Sequence, residues 1–196
     1  YVVPEGGVLV LNQTDPDSES FKRFLAHRAT YRLFDIGDSE LGRTIYSCAG
    51  FCQRAIRFLE SGHYDDAALY ATICLEHLFS EENSTVEAVC TRTAALNHLR
   101  LTGSYAEAKR ELRRLYDARS GFVHSGKSVT PAQAERLIAY ARETLRSLLV
   151  LHFKPENRSQ GFLKNWVKVL DFIVAGFEAG RTLEDSILAD NGVLRP

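Results

Sequence analysis

Along most of the chain apolar residues return every three or four positions with polar ones between them, the pattern of helices that each bury one face. From about Glu40 to Glu60 the apolar positions are Ile45, Cys48, Ala49, Cys52, Ala55, Ile56 and Leu59. Ser61-Gly62 stops this helix, and a second is expected from about Asp65 to Ser80 on Ala67, Ala71, Cys74, Leu75, Leu78 and Phe79. The link between them is short, so they should pack antiparallel. A third helix, from about Thr85 to Leu101, carries Val86, Val89, Thr93, Leu96 and Leu99 and halts at Thr102-Gly103. A fourth opens at Ser104, an N-cap with Glu107 three positions on, and buries Tyr105, Ala108, Leu112, Leu115 and Tyr116. A fifth opens at Thr130, with Pro131 in the first helical position and Gln133 completing a capping box.

Beyond Pro155 a sixth helix, from about Gly161 to Glu178, is apolar nearly all round and needs cover on two sides. The expected fold is therefore all-α: an antiparallel helical bundle over 40–155, with an extra C-terminal apolar helix in 156–196 that packs on the core or on a dimer interface. The first 39 residues read as a linker or short helix. Val8 to Leu11, after Pro4 and Gly6-Gly7, is strand-like but isolated.

Composition narrows the partners. With 196 residues, 45% of them hydrophobic, the chain can bury one sizeable core and is not a disordered polymer. Its 24 basic and 25 acidic residues nearly cancel, so nucleic acid would have to be met by a local patch. Cys48, Cys52, Cys74 and Cys90 lack paired zinc-site spacing and fall in helical stretches, as small buried hydrophobes in a reducing, cytoplasmic setting. Neither a metal site nor a cofactor is expected. The most apolar run, Phe162 to Phe177, is broken by Lys164, Lys168 and Asp171, which argues against a membrane span. With Tyr1 first and no methionine anywhere, the sequence reads as part of a longer polypeptide with a further N-terminal region.

One position breaks the pattern. The apolar stripe of the fourth helix through 105, 108, 112, 115 and 116 predicts an apolar residue at 119, and arginine stands there. A guanidinium on a core-facing stripe needs an anion, hydrogen-bond acceptors or an open cleft. His124 follows five residues later, about 140° further round an ideal helix. The two side chains converge only if the helix distorts at Gly121 or ends near Ser125-Gly126. Arginine and histidine in a last turn before glycine also suit a plain helix C-terminus.

The segment Tyr116-Asp-Ala-Arg119-Ser-Gly-Phe-Val-His124-Ser-Gly126 resembles the Arg-x4-6-His signature of the HEPN superfamily, and its Arg-Ser start and His-x-Gly finish are similar to the Apea-like branch. Upstream, Ala67 to Phe79 with embedded Glu76, and Val89 to Ala94 with embedded Arg92, are similar to two further blocks of that branch. Together these cover about Thr44 to His152. The resemblance implies a HEPN-like core of four or five helices and a metal-independent ribonuclease acting on single-stranded RNA as a homodimer, with arginines and histidines of both subunits lining one cleft. It also implies a place in a defence or toxin-type system.

The implied chemistry is attack of a ribose 2'-hydroxyl on the adjacent phosphorus. An imidazole such as that of His124 exchanges protons near neutrality, and a guanidinium such as that of Arg119 offers a fixed fork of donors to the phosphorane oxygens. Ser120 stands where many superfamily members carry a more strongly polar residue, and it is either a phosphate contact or an ordinary helix-end serine. Glu76 and Arg92 are candidates to orient Arg119, or else form a structural ion pair. Lys109, Arg110, Arg113 and Arg114 either track an RNA backbone or form a solvated face. The competing reading is a catalytically inactive HEPN-like module that binds RNA or nucleotide or serves in dimerisation.

Overall fold

A computed structural model describes residues 40–79, 85–153 and 160–181, without the side chains of 150–153 and 160–165. The expected N-terminal segment, 1–39, lies outside the described residues. Among the described residues the fold has six helices: α1 (Glu40–Glu60), α2 (Tyr64–Phe79), α3 (Val86–Leu101), α4 (Tyr105–Ser125), α5 (Pro131–Phe153) and α6 (Gln160–Glu178). No strand occurs among the described residues, and the chain is an all-α helical bundle.

The boundaries follow from local chemistry. Gly62, at φ 78°, closes α1, and the His63 N–H donates back to the Phe58 carbonyl at 2.9 Å, so α2 returns against α1. The Ser104 hydroxyl accepts the Glu107 N–H at the start of α4. At the start of α5 the Thr130 hydroxyl accepts the Gln133 N–H, and the Gln133 side-chain oxygen accepts the Thr130 N–H, a complete capping box.

Packing joins two hairpins, α1–α2 and α3–α4, with α5 against members of both and α6 against α3 and α1. Leu41, Leu75, Leu78, Phe79, Leu112, Leu137, Tyr140 and Leu148 are fully buried at the centre. All four cysteines are buried there as free thiols, and burial pushes Cys52 and Cys90 up to about 12. Trp166, Val169, Leu170, Ile173 and Val174 of α6 belong to the same core. The C-terminal helix therefore packs on the bundle.

Polar ties hold these contacts in register. Buried Arg92 on α3 grips Asp171 of α6 with Nε and Nη2, at 2.6 and 2.8 Å, and donates from Nη1 to the Phe79 carbonyl at the end of α2. Arg136 of α5 forms the same kind of fork on Glu111 of α4, at 2.7 and 2.9 Å, and also reaches the Leu101 carbonyl. Tyr140 donates its hydroxyl to Glu111 at 2.6 Å. Burial alone would raise the Glu111 carboxyl, but the hydrogen bonds from Arg136 and Tyr140 and the Arg136 charge together hold it below its ordinary value. No helix among the described residues is long and apolar enough to cross a membrane.

Candidate functional site

The platform is the second half of α4. Ala108, Leu112, Leu115 and Tyr116 are buried, and Arg119 continues the same face half-exposed. Beyond it Phe122 packs partly on the core while Val123 is half exposed, so the last turns of α4 run off the edge of the bundle. The loop that follows is pinned where Asp65, in the first turn of α2, accepts the Val129 N–H at 2.6 Å.

Arg119 is held without satisfaction. Its Nε is buried and has no hydrogen-bond partner, and among the described residues no ion pair or hydrogen bond engages the rest of its fork. One turn earlier the Tyr116 hydroxyl is also buried and unpartnered. Burial chiefly, and then the negative charge of Glu76, push the Tyr116 phenol well above its ordinary value, while Arg119 acts in the opposite sense. Glu76, half-buried on α2, therefore lies in the electrostatic neighbourhood of this end of α4. Orphaned donors of this kind cost about 1–3 kcal/mol each.

Of the two conditions under which Arg119 and His124 would converge, a distortion at Gly121 does not occur, and the helix ends only after His124. Helix α4 runs unbroken through Gly121 to Ser125 and ends at Gly126 in the left-handed region, φ 67°. The Gly126 N–H donates to the Phe122 carbonyl at 3.0 Å and the Ser125 hydroxyl to the Gly121 carbonyl at 2.6 Å, so the last turn is closed on itself. Over five regular residues the two side chains separate by about 140° and about 7.5 Å along the axis. Gly121 permits a distortion, but nothing packs on it: a Cβ added there would meet no atom within 4 Å. His124 is exposed on the outer side, and Ser120 is half-buried between the two faces.

The basic cluster also divides. Lys109 lies 2.8 Å from Glu87 and 2.9 Å from Glu178, and its ammonium is raised above its ordinary value by the Glu87 hydrogen bond first and the Glu178 one second. Arg113 lies 3.4 Å from Asp117 and 3.9 Å from Glu87. Arg110 and Arg114 are exposed and take part in no ion pair among the described residues. Positions 110, 114, 121 and 124 follow one another at spacings of four, seven and three, which places both arginines on the stripe of His124.

Arg92 grips Asp171 and the Phe79 carbonyl, a tie that holds α6 to the bundle and meets α2 one turn beyond Glu76. Two participants were missed in the sequence. Tyr116 counts there only as an apolar position, and Asp171 only as a charge interrupting α6, though a carboxylate in the interior of so apolar a helix signals a buried cation opposite. Among the described residues no group of three or more histidine, cysteine or acidic side chains has the arrangement of a metal site. No family model, curated protein or solved structure matches the chain.

Proposed function

We propose that this chain is a metal-independent endoribonuclease domain of the HEPN type, which cuts single-stranded RNA through Arg119 and His124. The observation that carries the reading is Arg119 itself. A guanidinium occupies an apolar-stripe position with a buried Nε that no acceptor satisfies, an arrangement that lowers stability and suits a group waiting for an anion. In the reaction the 2'-oxygen bonds to phosphorus as its proton passes to a base, and the bond to the 5'-oxygen breaks as that oxygen takes a proton. A cyclic phosphate and a free 5'-hydroxyl result. His124 supplies the proton transfer, and Arg119 binds the non-bridging oxygens as charge grows on them.

The straight α4 helix bears on how the site is assembled. Because Arg119 and His124 point about 140° apart on one helix, a single chain does not present both to one phosphate. In this reading a homodimer does so, with the overhanging ends of two α4 helices meeting and each supplying residues to a shared cleft. The half-exposed Val123 and partly buried Phe122 give that overhang an apolar edge to pack. Arg110 and Arg114 share the His124 stripe and lead the RNA backbone to it. A cytoplasmic defence or toxin-type setting completes the proposal on the strength of the sequence resemblance.

The same 140° separation favours a second reading, in which the chain binds RNA or nucleotide without cutting it. Cleavage of single-stranded RNA by the purified protein in EDTA separates the two. Wild type should cut, and Arg119→Ala and His124→Ala should each lower the rate by about 10²-fold or more while remaining folded. Cleavage that persists in both variants removes these residues from the chemistry. Binding without cleavage, weakened by Arg119→Ala, supports the second reading.

A further inference from the structure

The outer face of α1 carries a feature that the α4 site does not use. Arg43, Gly50, Arg54 and Arg57 follow at spacings of seven, four and three, so they lie on one stripe about 21 Å long. All three arginines are exposed, and none takes part in an ion pair among the described residues. The acidic residues of α1 stand only at its two ends, Glu40 and Glu60. Against a whole-chain charge of -1 this is a concentrated positive strip.

The strip is also partly preorganised. The Arg54 guanidinium lies 5.9 Å over the Tyr70 ring of α2, and Tyr70 is stacked on Phe58 at 5.3 Å, so the fork is steadied with its donors free. Tyr46, three residues after Arg43, leaves 54% of its surface exposed, more than any other Phe, Tyr or Trp among the described side chains. Between Tyr46 and Arg54, Gly50 keeps the helix surface low, with open space where a side chain would stand.

We propose that this face of α1 is a binding surface for single-stranded RNA, with Arg43, Arg54 and Arg57 on successive phosphates and Tyr46 beneath a base. The charge complements any polyanion, but an exposed aromatic interleaved with unpaired arginines matches unstacked bases on a phosphate backbone rather than an acidic peptide. In naming RNA the inference rests on the ribonuclease reading. Its geometry is independent of Arg119 and His124, since α1 and α4 make no substantial contact.

The test is fluorescence anisotropy of the whole chain with a labelled 2'-O-methyl oligouridylate, which lacks the attacking hydroxyl, across a salt series. Replacing all three arginines by alanine should weaken binding at low salt by about tenfold or more and reduce the slope of log K against log salt by about 2, at roughly 0.7 for each lost phosphate contact. Tyr46→Ala should weaken binding about tenfold and leave the slope in place. Circular dichroism of these surface variants should match wild type. The proposal is overturned if the triple variant binds as wild type does, if wild type fails to bind, or if polyglutamate binds as well as the oligonucleotide. Stripe-dependent binding without any RNA cleavage by wild type would sink the nuclease reading alone. Cleavage that needs His124, together with unchanged binding by the triple variant, would sink the α1 surface alone.

Discussion

If Arg119 is retained for an anion, replacing it with leucine should make the protein more stable and less active. The side chain continues a buried face formed by Ala108, Leu112, Leu115 and Tyr116, yet its Nε finds no acceptor. Removing one buried unsatisfied donor returns about 1–3 kcal/mol. Leucine and arginine have nearly equal helix propensity, so the backbone is indifferent to the exchange. Part of the arginine stem already packs on the core, and the position is only half buried, so the lower end of that range is the better expectation, a net gain of about 1 kcal/mol. For a chain of this length that is a rise in melting temperature of about 2–4 °C. Urea unfolding at neutral pH measures the gain, and RNA cleavage in EDTA measures the loss. A variant destabilised by more than about 1 kcal/mol would refute the reasoning, because it would mean that Arg119 makes a structural interaction stronger than the penalty it carries.

Other consequences concern the polar ties. Asp171→Ala takes the carboxylate from a guanidinium that is 5% exposed. Breaking a buried pair costs about 3–5 kcal/mol, and because Asp171 is half exposed and the Phe79 carbonyl remains, about 2 kcal/mol is expected here. The double change Arg92→Leu with Asp171→Ala should recover part of that loss in denaturant unfolding, and a loss equal to the sum of the two single changes would show that they are not coupled. Glu111 has a folded-state pKa below its unfolded one, so its contribution is present above the unfolded carboxylate range and is lost as pH falls through the folded value. Glu111→Gln should therefore destabilise at neutral pH by about 1 kcal/mol, a value discounted for partial exposure, with the gap to wild type closing below about pH 4. A gap that widens in acid would contradict the assigned sign.

The helices were legible because each states its own period and ends. Thr130 with Gln133, Ser104 with Glu107, and Gly62 after Ser61 mark boundaries by local chemistry that tertiary context has no reason to override. The break in the α4 stripe at Arg119 was legible for the same reason. The relation of Arg119 to His124 was not, because a glycine permits a distortion without requiring one, and only the packing around Gly121 decides which occurs. Nor did sequence spacing distinguish the four basic residues of α4. Lys109 and Arg113 are taken up by Glu87, Glu178 and Asp117, and two of those three acids come from other helices. The α1 stripe was present in the sequence as Arg43, Arg54 and Arg57, but its meaning depends on whether carboxylates pair with it, and among the described residues none does, which only the folded chain reveals.

The central claim is that Arg119 and His124 act on a ribose phosphate. A DNA oligonucleotide containing a single ribonucleotide tests it most directly, incubated with the protein in EDTA and its products resolved by mass. One cut is expected, on the 3' side of the ribose, leaving a cyclic phosphate and a free 5'-hydroxyl, and no cut with Arg119→Ala or His124→Ala. Cleavage at a deoxynucleotide, or an undiminished cut in the His124→Ala protein, would contradict it.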